Sequence, residues 1–136
     1  MKSFAAIALS ATLVAAEKVK VELYYESLCP YCQADITGSF AEAFATPGFL
    51  DMADVVMIPY GNAHEYPNGN SWTFTCQHGT DECVYNEIEA CSIKYVSDPL
   101  TSFNFINCVE SNNSKRKYTY QDVIDLCTVE ANLTAD

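Results

Sequence analysis

The stretch YYESLCPYCQAD, at residues 24–35, holds two cysteines, Cys29 and Cys32, that are separated by only two residues. Apolar and polar residues alternate in the KVKVELYY segment that overlaps its start, which predicts a half-buried strand over residues 18–25. In QADITGSFAEAFATPG, apolar residues recur every fourth position until Pro47–Gly48 ends the pattern, which predicts an amphipathic helix. The cysteine pair is therefore expected at a strand-to-helix turn.

This location favours redox chemistry at the pair. The first turn of a helix has unpaired N–H groups and a partial positive charge, which stabilise a thiolate and lower the pKa of a cysteine there. Pro30 suits the first helical position, because its missing N–H would have had no partner. We therefore predict Cys29 as the attacking thiolate and Cys32 as the thiol that resolves a mixed disulfide formed at Cys29.

The pair has two other interpretations. An inert local disulfide would have no need of a helix N-terminus. Half of a zinc site would need two further ligands, and the candidates Cys76, His78 and Cys83 are better explained as parts of a disulfide framework and a turn. We therefore predict neither a metal site nor a cofactor, and we assign no catalytic role to His78 or to His64.

The N-terminal residues 1–16 have the pattern of a secretory signal peptide. Lys2 precedes a short apolar run, and Val14 and Ala16 are placed as a cleavage site. The run is shorter than the about 20 apolar residues that a membrane-spanning helix needs, and no later segment offers a second candidate. Residues 17–136 are then expected to form one domain in the secretory pathway, without a membrane span.

The charge balance argues against nucleic-acid binding. The chain has 18 acidic and 7 basic residues, a formal net charge of −11. Such a surface repels phosphate backbones, and the KRK stretch at 115–117 is the one basic cluster.

Seven cysteines in a secreted chain indicate disulfides, and the odd number leaves at least one cysteine without an intrachain partner. Two sequons, at Asn112 and Asn132, are glycosylation candidates that fit the same route. The pairing of the cysteines outside the CPYC stretch stays open. The structural disulfide candidates are Cys76, Cys83, Cys91, Cys108 and Cys127.

The remaining segments complete an α/β pattern. DVVMIP, at 54–59, predicts a second buried strand, so the chain to residue 60 reads as a β-α-β unit with parallel strands. YGNAHEYPNGN after it is expected to be a loop. Three helices are then expected in a disulfide-rich insert over about 70–130: one from Cys83 that buries Cys91, one capped at Asp98, and one starting at TYQD.

One stretch of this insert carries a specific resemblance. CQHGTDECVYNEIEAC, at residues 76–91, resembles the signature CQHGxxECxxNxxxxC of the gamma-interferon-inducible lysosomal thiol reductase family. CPYC and the PYGNA at 59–63 are similar to that family as well, and the resemblance covers roughly 19–127. It implies a thioredoxin-like fold and reduction of protein disulfides in acidic endocytic compartments, with Cys29 and Cys32 as the active pair.

The resemblance also sets expectations for partners and for the C-terminus. It implies disulfide-containing protein substrates, a small-molecule thiol as possible reductant, and a lysosomal, endosomal or extracellular location. A thioredoxin-like fold normally continues past the insert into further strands that include a cis-proline, whereas the five prolines here all precede residue 100. The C-terminal strands are therefore expected to be missing. The alternative is a non-catalytic secreted binding module that keeps the disulfide scaffold.

Overall fold

Two parallel strands lie at the centre of the first half of the chain. In the computed structural model, which describes residues 17–113 and 118–133, β1 (Val19–Tyr25) pairs with β2 (Ala53–Pro59) along their whole length. Burial alternates along β1, and on the face that includes Val19 and Tyr25 it rises from 68% exposure of Val19 to 1% of Tyr25. The predicted parallel β-α-β arrangement is confirmed, and the buried end of β1 leads directly into the cysteine pair.

A continuous helical segment connects the two strands. It consists of α1 (Pro30–Asp35), a π-helical turn (Ile36–Phe40) and α2 (Ala41–Ala45). The predicted apolar face is the buried one, and the segment ends before Pro47–Gly48 as expected. Gly48 adopts φ +82° ahead of the short helix α3 (Phe49–Met52), which returns the chain to β2.

The segment expected to be a loop after β2 instead forms a hairpin. Strand β3 (His64–Asn68) pairs antiparallel with β4 (Ser71–Thr75), and every residue of both strands is exposed. Gly69, at φ +60°, and the residue after it make the two-residue connection that suits such hairpins. The loop prediction was wrong because these strands bury no face, so no alternation of apolar residues marks them.

Three helices follow the hairpin: α4 (Thr80–Tyr95), α5 (Pro99–Asn112) and α6 (Tyr120–Glu130). Asp98 caps α5 by accepting a hydrogen bond from the Thr101 N–H at 2.8 Å. Thr119 and Asp122 form the expected capping box at the start of α6. Both helix starts are therefore confirmed, whereas the first residues of the expected helical insert belong to β4.

The buried face of α4 differs from the prediction. The pattern from Cys83 placed Cys91 inside, but Cys91 is exposed and Tyr95 is 73% exposed. The helix turns a largely polar face inward, where Asn86 accepts a hydrogen bond from the Ser27 N–H and Glu82 meets His78, and apolar periodicity does not reveal such contacts. The buried residues of α4 are Glu82, Tyr85, Asn86, Glu89 and Ser92.

Helix α5 joins two apolar clusters into one core. One lies between the β-α-β unit and α5, where Phe44 stacks on Phe103 with ring centroids 3.7 Å apart. The other lies among α4, α5 and α6, and includes the disulfide between Cys108 and Cys127. The described chain is thus a mixed α/β structure, with small sheets and several helices.

Some sequence predictions fall on residues that the structure does not describe or that lie near the ends of the described ranges. The predicted signal peptide, 1–16, and the basic KRK stretch, 115–117, lie outside the described residues. Among those described, no helix is long and apolar enough to cross a membrane. Asn112 is buried at the end of α5 and donates to the Cys108 carbonyl at 2.8 Å, whereas Asn132 is exposed at φ +55°.

Candidate active site

Cys29 and Cys32 lie at the turn between β1 and α1. Cys29 is the N-cap residue of the helical segment, with an extended backbone, and Pro30 occupies the first position of the helix. The Cys29 N–H donates to the Glu26 carbonyl at 3.1 Å, and the Gln33 N–H donates to the Cys29 carbonyl at 3.0 Å. These bonds place the Cys29 side chain at the start of the helix, with Cys32 in its first turn.

The two cysteines are free thiols, and both are half-buried. Burial raises the pKa of the Cys32 thiol to about 11, and the neighbouring Cys29 adds to the increase. Cys32 is therefore a neutral thiol at physiological pH.

The loop before Cys29 is held in place by the helical part of the chain. The Ser27 N–H donates to Asn86 Oδ1 of α4 at 3.0 Å. The Ser27 carbonyl accepts from Gln33 Nε2 at 2.9 Å and from Asn113 Nδ2 at 2.7 Å. Because these bonds join the turn to α4 and to the C-terminal end of α5, the position of the cysteine pair depends on the tertiary structure.

Two buried carboxylates converge on the imidazole of His78. Glu82 Oε2 lies 2.5 Å from His78 Nδ1, and Glu26 Oε2 lies 3.4 Å from the same nitrogen. The other oxygen of each carboxylate accepts a backbone N–H: Glu82 Oε1 from His78 at 3.1 Å, and Glu26 Oε1 from Asn62 at 2.6 Å. Each carboxylate is thus anchored through one oxygen and directs the other at His78.

Gly61 makes room for the Glu26 side chain. Its backbone has φ +53°, and a Cβ at this position would lie 2.2 Å from Glu26 Cγ. Any other residue would have to displace the carboxylate as well as adopt a left-handed backbone. The glycine in the loop after β2 therefore allows Glu26 to reach the site.

These residues meet Cys29 in an open groove. A carboxylate oxygen of Glu26, the sulfur of Cys29 and a ring nitrogen of His78 all lie within 4.8 Å of one another. Tyr24 and Tyr31 border the groove and are 64% and 84% exposed. The arrangement leaves Cys29 open to a large substrate and surrounds it with nitrogen and oxygen atoms of defined position.

A second pair of acidic residues lies in the interior below the cysteines. Glu89 of α4 and Glu110 of α5 are 0% and 2% exposed, and they face each other and the buried Tyr25 hydroxyl. None of their carboxyl oxygens makes a well-formed hydrogen bond with a described residue. Burial raises the pKa of both carboxyl groups, which favours their neutral forms, and it also raises the pKa of Tyr25.

Comparison with known families identifies the chain. A family model described as gamma interferon inducible lysosomal thiol reductase (GILT) matches residues 20–131. The chain belongs to the GILT family. The gamma-interferon-responsive lysosomal thiol protein of Arabidopsis thaliana is 42% identical over 95 residues, which are 70% of this chain and 39% of that protein.

Two further relatives carry the family name. The gamma-interferon-inducible lysosomal thiol reductase of Carassius auratus is 40% identical over 96 residues, which are 71% of this GILT-family chain and 37% of that protein. The Mus musculus protein of the same name is 34% identical over 99 residues, which are 73% and 39% of the two chains. The chain therefore spans less than half the length of these curated relatives.

The stretch that resembles the GILT signature, residues 76–91, supplies Asn86, which bonds to the cysteine turn, and the His78 and Glu82 side chains beside it. The disulfide between Cys76 and Cys83 closes a short loop that contains His78 and Glu82. It also removes both cysteines as metal ligands. Sequence reasoning gave His78 no catalytic role and missed Glu26, since His78 is far from Cys29 in the sequence and Glu26, three residues before Cys29, belongs to no recognisable motif.

The other sequence candidates lie away from this site. Cys108 and Cys127 join α5 to α6 in a second disulfide, and Cys91 is a free, exposed cysteine. His64 is exposed on β3, outside the residues that line the groove. Glu89 and Glu110 were not predicted either, because their burial depends on the packing of α4 against α5.

Proposed function

We propose that this GILT-family chain is a thiol–disulfide oxidoreductase that reduces protein disulfides, with Cys29 attacking and Cys32 resolving. The observation that carries the proposal is the position of the pair: Cys29 caps a helical segment at the edge of an open groove, and Cys32 lies behind it in the first turn. Curated relatives are named as thiol reductases. The proposed fold is a thioredoxin-like α/β core, supported by the parallel β-α-β unit that presents the pair.

The reaction proceeds by two exchanges. The Cys29 thiolate attacks one sulfur of the substrate disulfide, forms a mixed disulfide with it, and releases the other substrate sulfur as a thiolate. The Cys32 thiol then loses its proton to the leaving sulfur or to solvent and attacks Cys29 Sγ. This forms the Cys29–Cys32 disulfide and frees the second substrate thiol, so two electrons pass from the pair to the substrate. A small-molecule thiol is the proposed reductant that regenerates the pair.

The different environments of the two thiols suit their proposed roles. Cys29 lies at the start of the helical segment and lines the groove, where an incoming disulfide can reach its sulfur. Because its pKa is raised, Cys32 stays protonated before the mixed disulfide forms. A protonated thiol is a poor nucleophile, so Cys32 does not attack first. The proposed location is an endosomal or lysosomal compartment, or the exterior, reached through the secretory pathway with 1–16 as the signal peptide.

The test compares two single variants in an insulin-type disulfide reduction assay. Cys29→Ser removes the nucleophile, so turnover is expected to vanish without any adduct. Cys32→Ser leaves attack possible and removes resolution, so a mixed disulfide with the substrate should accumulate and be visible by non-reducing electrophoresis and intact mass. Cys91→Ser is the matched control, since Cys91 is a free thiol on the exposed side of α4.

Two results would contradict the proposal. One is the absence of turnover in the folded wild-type chain, which would favour the non-catalytic binding module. The other is a complete lack of trapped adduct in both variants, which would favour an inert cysteine pair. Because the chain is shorter than its relatives, the assay should include a full-length family member as a reference for the rate.

A further inference from the structure

We propose that Glu26, Cys29 and His78 form a binding site for a thiophilic divalent cation such as Zn²⁺. The three side chains offer one oxygen, one sulfur and one nitrogen ligand, all within 4.8 Å of one another. Thiolate, imidazole and carboxylate are the ligands that Zn²⁺ takes in proteins. Three protein ligands leave a fourth position for water, which is the arrangement of an accessible zinc site rather than a closed structural one.

The site is built before any ion enters. Glu26 is 4% exposed, and its Oε1 is fixed by the Asn62 N–H at 2.6 Å while Oε2 is directed towards His78 Nδ1. Gly61 leaves the space that this carboxylate occupies. A ligand held by a hydrogen bond through its second atom is oriented in advance, so little ordering is required when a metal binds.

The local charge also favours a cation. Glu26 and Glu82 place two buried carboxylates against a single imidazole, with Glu82 Oε2 at 2.5 Å from His78 Nδ1. Buried acidic groups of this kind are stabilised by a positive charge between them. A divalent ion held by Glu26, Cys29 and His78 would supply that charge.

A cation bound here would inhibit the chain. The sulfur that coordinates the ion is Cys29 Sγ, the proposed nucleophile, so a bound ion and a substrate disulfide compete for the same atom. A chelator would restore the free thiolate. This consequence rests on the proposed function, whereas the binding of the ion does not.

The experiment measures Zn²⁺ binding to the wild-type chain with Cys29 and Cys32 reduced and both structural disulfides intact, by competition with a chromophoric chelator. Cys29→Ser, His78→Gln and Glu26→Gln should each weaken binding by about tenfold or more. Cys91→Ser and His64→Gln remove an exposed thiol and an exposed imidazole outside the site and should leave the affinity unchanged. Cd²⁺ provides a second readout, because its thiolate charge-transfer absorption should disappear in Cys29→Ser and persist in Cys32→Ser.

Two outcomes would overturn the site. Failure of the wild-type chain to compete with a chelator of micromolar affinity would exclude it. Unchanged binding in both His78→Gln and Glu26→Gln, together with equal loss in Cys29→Ser and Cys32→Ser, would show a dithiol chelate instead. Loss of binding in a variant counts only if its circular dichroism matches the wild type, and Cys29→Ser, at a half-buried position, is the variant expected to keep its fold.

Measurements of Zn²⁺ binding and of insulin reduction on the same protein samples distinguish failure of this inference from failure of the proposed function. A wild-type chain that reduces insulin but binds no Zn²⁺ would refute the metal site alone. A chain that binds Zn²⁺ through the three residues but reduces no disulfide would refute the proposed function alone. Zinc inhibition that is reversed by chelation and weakened in His78→Gln would support both.

Discussion

The two pairs of buried glutamates in this molecule have opposite surroundings. Glu26 and Glu82 lie beside the cysteine groove, and each accepts a backbone N–H and faces the imidazole of His78. Glu89 and Glu110 lie in the interior and face each other and a tyrosine hydroxyl, without a well-formed hydrogen bond to a described residue. All four side chains are nearly inaccessible to solvent, so burial alone does not distinguish the pairs.

The difference between the pairs lies in the donors that each one meets. A buried carboxylate with N–H donors and a basic neighbour contributes to a defined site, and removing it leaves those donors without a partner. A buried carboxyl pair without N–H donors stays at least partly protonated, because two negative charges at short distance in the interior would repel each other. The first pair is therefore expected to support function and stability together, and the second to make stability depend on pH.

The largest expected effect comes from replacing one member of each pair by leucine. Glu82→Leu removes the carboxylate that pairs with both the backbone N–H and the imidazole of His78. It should lower the free energy of unfolding by about 3 kcal/mol. Glu89→Leu removes a buried carboxyl group that makes no well-formed hydrogen bond, and should be neutral or stabilising at pH 7. Urea unfolding of the two variants measures the difference, and equal losses would show that the two pairs are energetically alike.

A smaller effect is expected at the residue that makes room for Glu26. Gly61→Ala imposes a side chain at φ +53° and a contact of 2.2 Å with Glu26 Cγ, and should cost about 2 kcal/mol. A double-mutant cycle with Glu26→Ala separates the two causes, because the steric part should disappear when the glutamate is absent. Strict additivity of the two single changes would show that Gly61 does not act through Glu26.

The third expected effect is the pH dependence of the interior pair. The folded-state pKa values of Glu89 and Glu110 are raised by burial from an ordinary value of 4.5, so their contribution is fully present below that pH and is lost as the pH rises. The free energy of unfolding should therefore fall between pH 5 and pH 7.5 by about 1 kcal/mol or more. Glu89→Gln should flatten this slope and Cys91→Ser should not. A slope unchanged by Glu89→Gln would remove the interior pair as its cause.

Much of the local structure follows from patterns within a few residues. The alternation that predicts β1, the four-residue spacing that predicts the following helix, and the Pro-Gly pair that ends it all involve neighbours in sequence. The capping residues Asp98 and Thr119 are recognisable for the same reason, since a cap bonds to an N–H within three residues. The strand-to-helix position of Cys29 and Cys32 was predictable because all of its determinants are local.

The surroundings of the cysteines were decided by the tertiary structure. His78 reaches Cys29 because the disulfide-closed loop before α4 folds over the end of β1, and Glu26 fits because Gly61, in another loop, has no side chain. The inward face of α4 is largely polar, and Asn86 on that face accepts a hydrogen bond from Ser27, 59 positions earlier in the chain, which no apolar pattern could indicate. Sequence alone thus determined where the thiols lie along the chain, whereas the charges and ligand atoms around them depend on contacts between residues far apart in sequence, which only the folded chain brings together.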